Sequence, residues 1–138
     1  MACPFFIPIE PAANIAFPHP ARLPLGSAWR GMCDAPGHQQ TSPSPGELEC
    51  CNLGYASNCA RLPPDRPCDA VRFAVVKESE RRVSVQFVLE TAHLPSGSGV
   101  LEFDRVANSW TVAHPQHRIQ NLAECFLKSF LEKKTVPL

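Results

Sequence analysis

Prolines divide this chain in two. Twelve of its 15 prolines lie in residues 1–68. A proline supplies no backbone N–H and clashes with a preceding helical turn. With Pro4, Pro8, Pro11, Pro18, Pro20 and Pro24 recurring every few residues, the first half cannot form a regular helix. Any sheet there is confined to edge strands. Six of the seven cysteines share this half, and only Cys125 lies beyond it. A length of 138 residues allows one small domain, or one domain with a long irregular arm.

The proline-rich half does not have the composition of a disordered tail. It carries Phe5, Phe6, Ile7, Ile9, Ile15, Phe17, Leu23, Leu25 and Trp29 with few charges, whereas disordered segments are poor in such residues. The arm is expected to wrap an ordered partner. Prolines lower the entropic cost of ordering it by restricting the unfolded chain. Residues 34–49, with Pro36-Gly37 and Ser42-Pro43-Ser44-Pro45-Gly46, read as a surface loop.

Residues 69–138 have ordinary periodicities. Val71, Phe73 and Val75 alternate with Arg72 and Ala74, and Val83, Val85, Phe87 and Leu89 alternate with Ser84, Gln86 and Glu90. Period two marks half-buried strands. The polar stretch Lys77–Arg81 turns the chain between them. His93–Gly99 reads as a loop, followed by a third strand at Leu101 and Phe103. Asn108-Ser109 reads as a hairpin turn leading into a fourth strand from Trp110 to Val112. After Pro115 the period changes: Ile119, Leu122, Phe126 and Phe130 recur at intervals of three and four, widened by Ala123. That stripe defines an amphipathic helix. Glu124 and Lys128 form an i,i+4 pair on its polar side, and Lys133-Lys134 suit its C-terminal dipole. The expected fold is α+β: a small four-stranded antiparallel meander with one C-terminal helix packed across a sheet face. The irregular Pro/Cys-rich N-terminal half wraps it. Residues 1–68 form the arm and 69–138 the α+β unit, together one compact domain.

Thirteen basic and 13 acidic side chains balance to zero. This argues against a grip on nucleic-acid phosphates or a polybasic membrane contact. No apolar run approaches the roughly 20 residues of a membrane span. The N-terminal stretch lacks a basic region and is broken by prolines, unlike a signal peptide. A cytoplasmic protein is expected. In a reducing compartment, cysteines on a small scaffold serve as metal ligands or redox-active thiols. The competing account is an exported protein with three disulfides and one free thiol.

None of Cys3, Cys33, Cys50, Cys51, Cys59 and Cys68 forms a CxxC knuckle, which lowers the zinc-finger reading. Cys3-Pro4 has the cysteine–proline order found at iron–sulfur ligands. The densest stretch runs Cys50-Cys51-Asn52-Leu53-Gly54-Tyr55-Ala56-Ser57-Asn58-Cys59-Ala60-Arg61-Leu62-Pro63. Gly54 permits a tight turn whose amides could donate to sulfur, Tyr55 could cover a site, and Arg61 could offset thiolate charge. The doubled cysteine, the tyrosine and the Cys-x-Arg-x-Pro-like ending resemble part of the bacterial CxxCxxCC-type zinc- or iron-chelating proteins. The resemblance extends over Cys50–Pro63, and no CxxC precedes Cys50-Cys51. It implies metal binding by these cysteines without a defined activity.

The expected ligands are Cys3, Cys33, one or both of Cys50 and Cys51, and Cys59. Four thiolates suit a [4Fe–4S] iron–sulfur cluster or tetrahedral zinc, and widely spaced ligands on irregular loops favour the cluster. Cys125, beside the helical stripe, reads as a small core residue. Cys68 divides evenly between ligand and core.

Among the histidines, His114 and His117 flank Pro115, where an imidazole caps a helix more often than it binds a metal. His93 ends the second strand and His38 lies in the expected loop. There is no glycine-rich phosphate loop, dinucleotide fingerprint or HExxH motif. The expected function is a small metalloprotein, an iron–sulfur electron carrier or redox sensor with a protein partner of unknown identity. The alternatives are a structural-zinc interaction module within a larger assembly and a metal-free thiol enzyme.

Overall fold

The computed structural model describes residues 2–11, 25, 28–37, 39, 41–44, 48, 51–52, 63–64, 66, 68–92 and 94–135. Among these, the elements are β1 (Phe6–Pro11), β2 (Trp29–Cys33), β3 (Ala70–Glu78), β4 (Arg82–Thr91), β5 (Leu94–Asp104), β6 (Ser109–Val112) and α1 (His117–Thr135). Strands β3-β4-β5-β6 form an antiparallel meander, and β1 and β2 form a separate antiparallel pair. The α+β class read from the sequence is the observed one.

The meander follows the alternation. Val71, Phe73 and Val75 pair with Leu89, Phe87 and Val85 on the helix-facing side, and Val83 and Val85 pair onward with Phe103 and Leu101. A bulge between Val75 and Lys77 leaves Val76 outside the register of β3. The β3–β4 turn closes where Ser79 N–H donates to the Arg82 carbonyl at 2.8 Å and Ser79 Oγ accepts from Arg82 N–H at 3.0 Å. At the β5–β6 turn, Asp104 Oδ1 accepts the N–H groups of Val106 (2.9 Å) and Ala107 (3.1 Å), and Asn108 takes a positive φ of 53°. The Asp carboxylate replaces carbonyl acceptors that the tight turn cannot supply.

The expected loop over 93–99 is largely strand. β5 begins at Leu94, which pairs with Thr91, and the reversal is made at Ala92 with φ 53°. The glycines there serve the sheet. Gly99 faces Phe87, and a Cβ on Gly99 would sit 2.8 Å from the Phe87 ring. The missing side chain makes room for a cross-strand aromatic ring.

The arm is also more regular than its prolines suggest. Pro8 and Pro11 lie within β1, whose register against β2 shifts between Pro8 and Glu10. In a two-stranded ribbon each strand has an open edge, so a residue lacking an N–H is tolerated. Gly31 permits close approach, because a Cβ there would collide with the Ile7 carbonyl. Within the stretch expected as a surface loop, Ala35 is buried and Leu48 is helical, and Cys33 N–H donates to the Thr41 carbonyl at 2.9 Å.

Helix α1 does not lay one stripe on one sheet. Leu122 and Cys125 pack into a core with Ala2, Cys3, Phe5, Phe6, Leu25, Trp29, Cys33, Ala35 and Cys51 of the arm. Leu127 packs with Val83, Val85 and Phe103 of the meander. Ile119 packs with Cys68 and Val71, and Phe126 borders both larger clusters. The helix therefore has apolar contacts toward both the arm and the sheet. Each large side chain so buried contributes roughly 1.5–3 kcal/mol. The arm is also hydrogen-bonded to the meander, since Ala2 and Val71 exchange N–H···O bonds of 2.7 and 2.8 Å at the β3 edge. Arg118 closes the seam, 3.4 Å from Asp34 Oδ2 and 4.5 Å from the centroid of the Phe5 ring.

Candidate metal centre

Three of the five expected ligands, Cys3, Cys33 and Cys51, are buried in the same core cluster. Cys50 and Cys59 lie outside the described residues, as do Gly54, Tyr55 and Arg61. Each placed cysteine is held by backbone contacts of its segment. Cys3 N–H donates to the Cys51 carbonyl at 3.1 Å, and the Cys3 carbonyl accepts from Phe6 N–H at 3.1 Å as β1 begins. Cys33 ends β2 opposite Phe6. The chain then turns through Asp34-Ala35-Pro36-Gly37, with Gly37 at φ +82°. In that turn the Ala35 N–H donates to Cys33 Sγ at 3.4 Å. An amide aimed at sulfur stabilises thiolate more than thiol.

Cys51 is fixed through its neighbour. Asn52 is 1% exposed, and its side chain bridges two segments. Its Oδ1 accepts Trp29 N–H at 2.8 Å, while Nδ2 donates to the Trp29 carbonyl at 2.9 Å and to the Leu48 carbonyl at 3.0 Å. Leu48 and Asn52, both helical like Cys51, are thereby tied to the first residue of β2. Trp29 and Cys33 fall on one face of β2 by strand periodicity, and both are buried. Lys128 of α1 lies 6.0 Å from the Trp29 ring centroid. With Arg118, it sets two cations around a cluster rich in sulfur.

Cys125 joins this cluster and Cys68 does not. Burial is the main cause raising both thiols to about 11, with the negative charge of Glu124 adding for Cys125 and that of Asp69 for Cys68. Both are protonated at neutral pH, the state of a core thiol and not of a nucleophile. Among the described residues, no group of three or more His, Cys, Asp or Glu side chains is arranged to hold a metal ion.

His114 is a capping group. Its Nδ1 accepts Gln116 N–H at 3.0 Å, its own N–H donates to Gln120 Oε1 at 2.8 Å, and its ring meets Phe87 edge-on. This reciprocal pair follows the logic of a capping box. The contribution of Asn52 was not read from the sequence. The only trace was an amide side chain directly after paired cysteines.

No family model matches the chain, and neither a curated protein nor a solved structure is significantly similar to it. The class that can be stated is therefore structural: an α+β protein with a sulfur-rich core between an N-terminal arm and its helix. Among the described residues no helix is long and apolar enough to cross a membrane.

Proposed function

We propose that this is a small cytoplasmic metalloprotein whose cysteines hold an iron–sulfur cluster, acting as an electron carrier or redox sensor for a protein partner. The observation that supports the reading is the burial of Cys3, Cys33 and Cys51, from three segments far apart in sequence, in one apolar cluster. The amide donated to Cys33 Sγ adds to it. A four-thiolate site built on these three draws its fourth ligand from Cys50 or Cys59, and the cations Arg118 and Lys128 offset its charge. The cluster would supply reversible one-electron chemistry. The chain's own residues exclude water from it and donate to its sulfurs.

A second reading places zinc on the same ligands as a structural staple, leaving the α+β unit as an interaction module. It is favoured by the origin of the cysteines in separate segments of the arm, which a closed site would join to one another. A metal-free thiol enzyme has less support, because burial holds Cys68 and Cys125 protonated.

Anaerobic purification followed by iron, zinc and acid-labile sulfide analysis separates these readings. A brown protein with iron and sulfide supports the cluster, and a colourless one with stoichiometric zinc supports the staple. Folded, metal-free protein overturns both. Cys3→Ser, Cys33→Ser and Cys59→Ser should each lose metal; full retention by all three would overturn the ligand set.

A further inference from the structure

We propose that the meander face turned away from α1 is a self-association surface, on which a second copy of this chain packs sheet to sheet. Helix α1 takes the other face, where Leu127 packs with Val83, Val85 and Phe103 and the Phe126 ring meets Phe73. By strand alternation the open face carries Ala74, Gln86 and Val100 in one cross-strand row, with Val88 on one side of it and Glu102 and Val112 on the other. Val100 is 46% exposed and Val112 44%, and Ala74 is exposed as well. The solvated face of an antiparallel sheet is ordinarily polar. Here Val88, Val100 and Val112 are diagonal neighbours on successive strands, close enough to touch. Their branched side chains suit packing against another sheet.

The charges on this face select a second copy as the partner. Lys77 and Glu102 both align with Ser84, which lies between them. They stand about 10 Å apart, two strand spacings, so they do not meet within one copy. Neither is in an ion pair among the described residues. A two-fold axis along the strands, between β4 and β5, lays all four strands of one copy over all four of the other. It exchanges the β3 side with the β5–β6 side at the same level. Lys77 of each copy then comes over the Glu102–Val112 row of the other, and Val100 over Gln86 of the other. An axis across the strands would set β3 on β3 and bring Lys77 toward Arg72, a like pair. One arrangement is therefore self-complementary, as an isologous interface requires. Four strands at about 4.8 Å and six residues at about 3.4 Å give a face of roughly 20 by 20 Å. That size belongs to small, reversible interfaces.

Sedimentation velocity of the full chain under reducing conditions tests this. The weight-average coefficient should rise from monomer toward dimer between about 10 μM and 1 mM, the range of weak association. Val100→Lys puts a charge at the centre of the face and should leave a monomer throughout. Lys77→Glu and Glu102→Lys should each move dimerisation to a concentration at least about three-fold higher. The double variant exchanges the two charges and should restore it. Circular dichroism checks that each variant is folded, and if Val100→Lys is not, the charge-exchange series decides. A wild-type protein that stays monomeric at about 1 mM overturns the proposal. So does dimerisation undiminished in folded Val100→Lys, or a double variant no better than its parents. Growth beyond a dimer overturns the closed two-fold arrangement.

Discussion

Asn52 does with one side chain what a strand does with a ladder, satisfying both backbone groups of Trp29 and the Leu48 carbonyl. Asn52→Ala leaves those buried groups without their partner, and an unsatisfied buried group costs roughly 1–3 kcal/mol. A loss of at least about 2 kcal/mol is expected by urea denaturation, whether or not metal is present. Asp104 gives the molecule an acid limit. The Ala107 amide foremost, then the Val106 amide and Arg81, hold its carboxyl below the ordinary value against the opposing effect of burial. A depressed carboxyl stabilises the fold above the unfolded value of about 3.9 and ceases to do so as pH falls through the folded one. Asp104→Asn should therefore flatten the acid limb of a stability–pH profile, and an unchanged limb would show that the turn does not couple to folding. At the alkaline end the sign reverses. Cys68 and Cys125 keep their protons up to about 11 when folded, so stability is lost as pH rises from the ordinary thiol value toward that point. At pH 8 both should resist iodoacetamide until denaturant is added, as mass spectrometry would register.

Among the elements, β5 is the most exacting. Gly99→Val would drive a branched side chain into the Phe87 ring and should cost roughly 1–3 kcal/mol by the usual scale of overpacking. The equivalent change at Ser98, exposed on the opposite face, should be nearly neutral; comparing the two melting temperatures checks the argument. The same glycines explain why the first half of β5 was hidden while its Leu101–Phe103 half was read as a strand. Local turn chemistry at 94–99 outweighed a pairing that only the Phe87 ring across the ladder makes sensible. β3, β4 and α1 were legible because one-sided burial writes a period into the sequence. β1 and β2 were not, because Pro8 and Pro11 mask a ribbon with open edges. The helical stripe was legible, but its partition was not: nothing in the spacing of Leu122, Cys125 and Leu127 tells which partner each meets.

For the molecule as a whole, the helix makes arm and meander interdependent. Residues 69–138 alone would expose Leu122, Cys125 and the Arg118 seam, and the fragment should show no cooperative thermal transition by circular dichroism. A sharp transition matching the full chain would mean that the arm is dispensable to the fold. The candidate site was legible in part. Cysteine crowding drew attention to the arm, where Cys3, Cys33 and Cys51 are buried in one apolar cluster, but among the described residues no group of three is arranged to hold a metal ion. The tie through Asn52 depends on long-range packing that no local spacing encodes. The Ala2–Val71 pair bears on a different matter, the company this protein keeps at high concentration. An exposed edge strand is a template for another molecule's strand. Here one rung of β3 is taken by the chain's own Ala2, the bulge at Val76 breaks the ladder further along, and Lys77 and Glu78 put charge at its end. The far edge, β6, is four residues long. The sheet offers little continuous length for fibre growth, so a variant trimmed of Ala2 and its neighbours would be expected to self-associate before it loses its secondary structure.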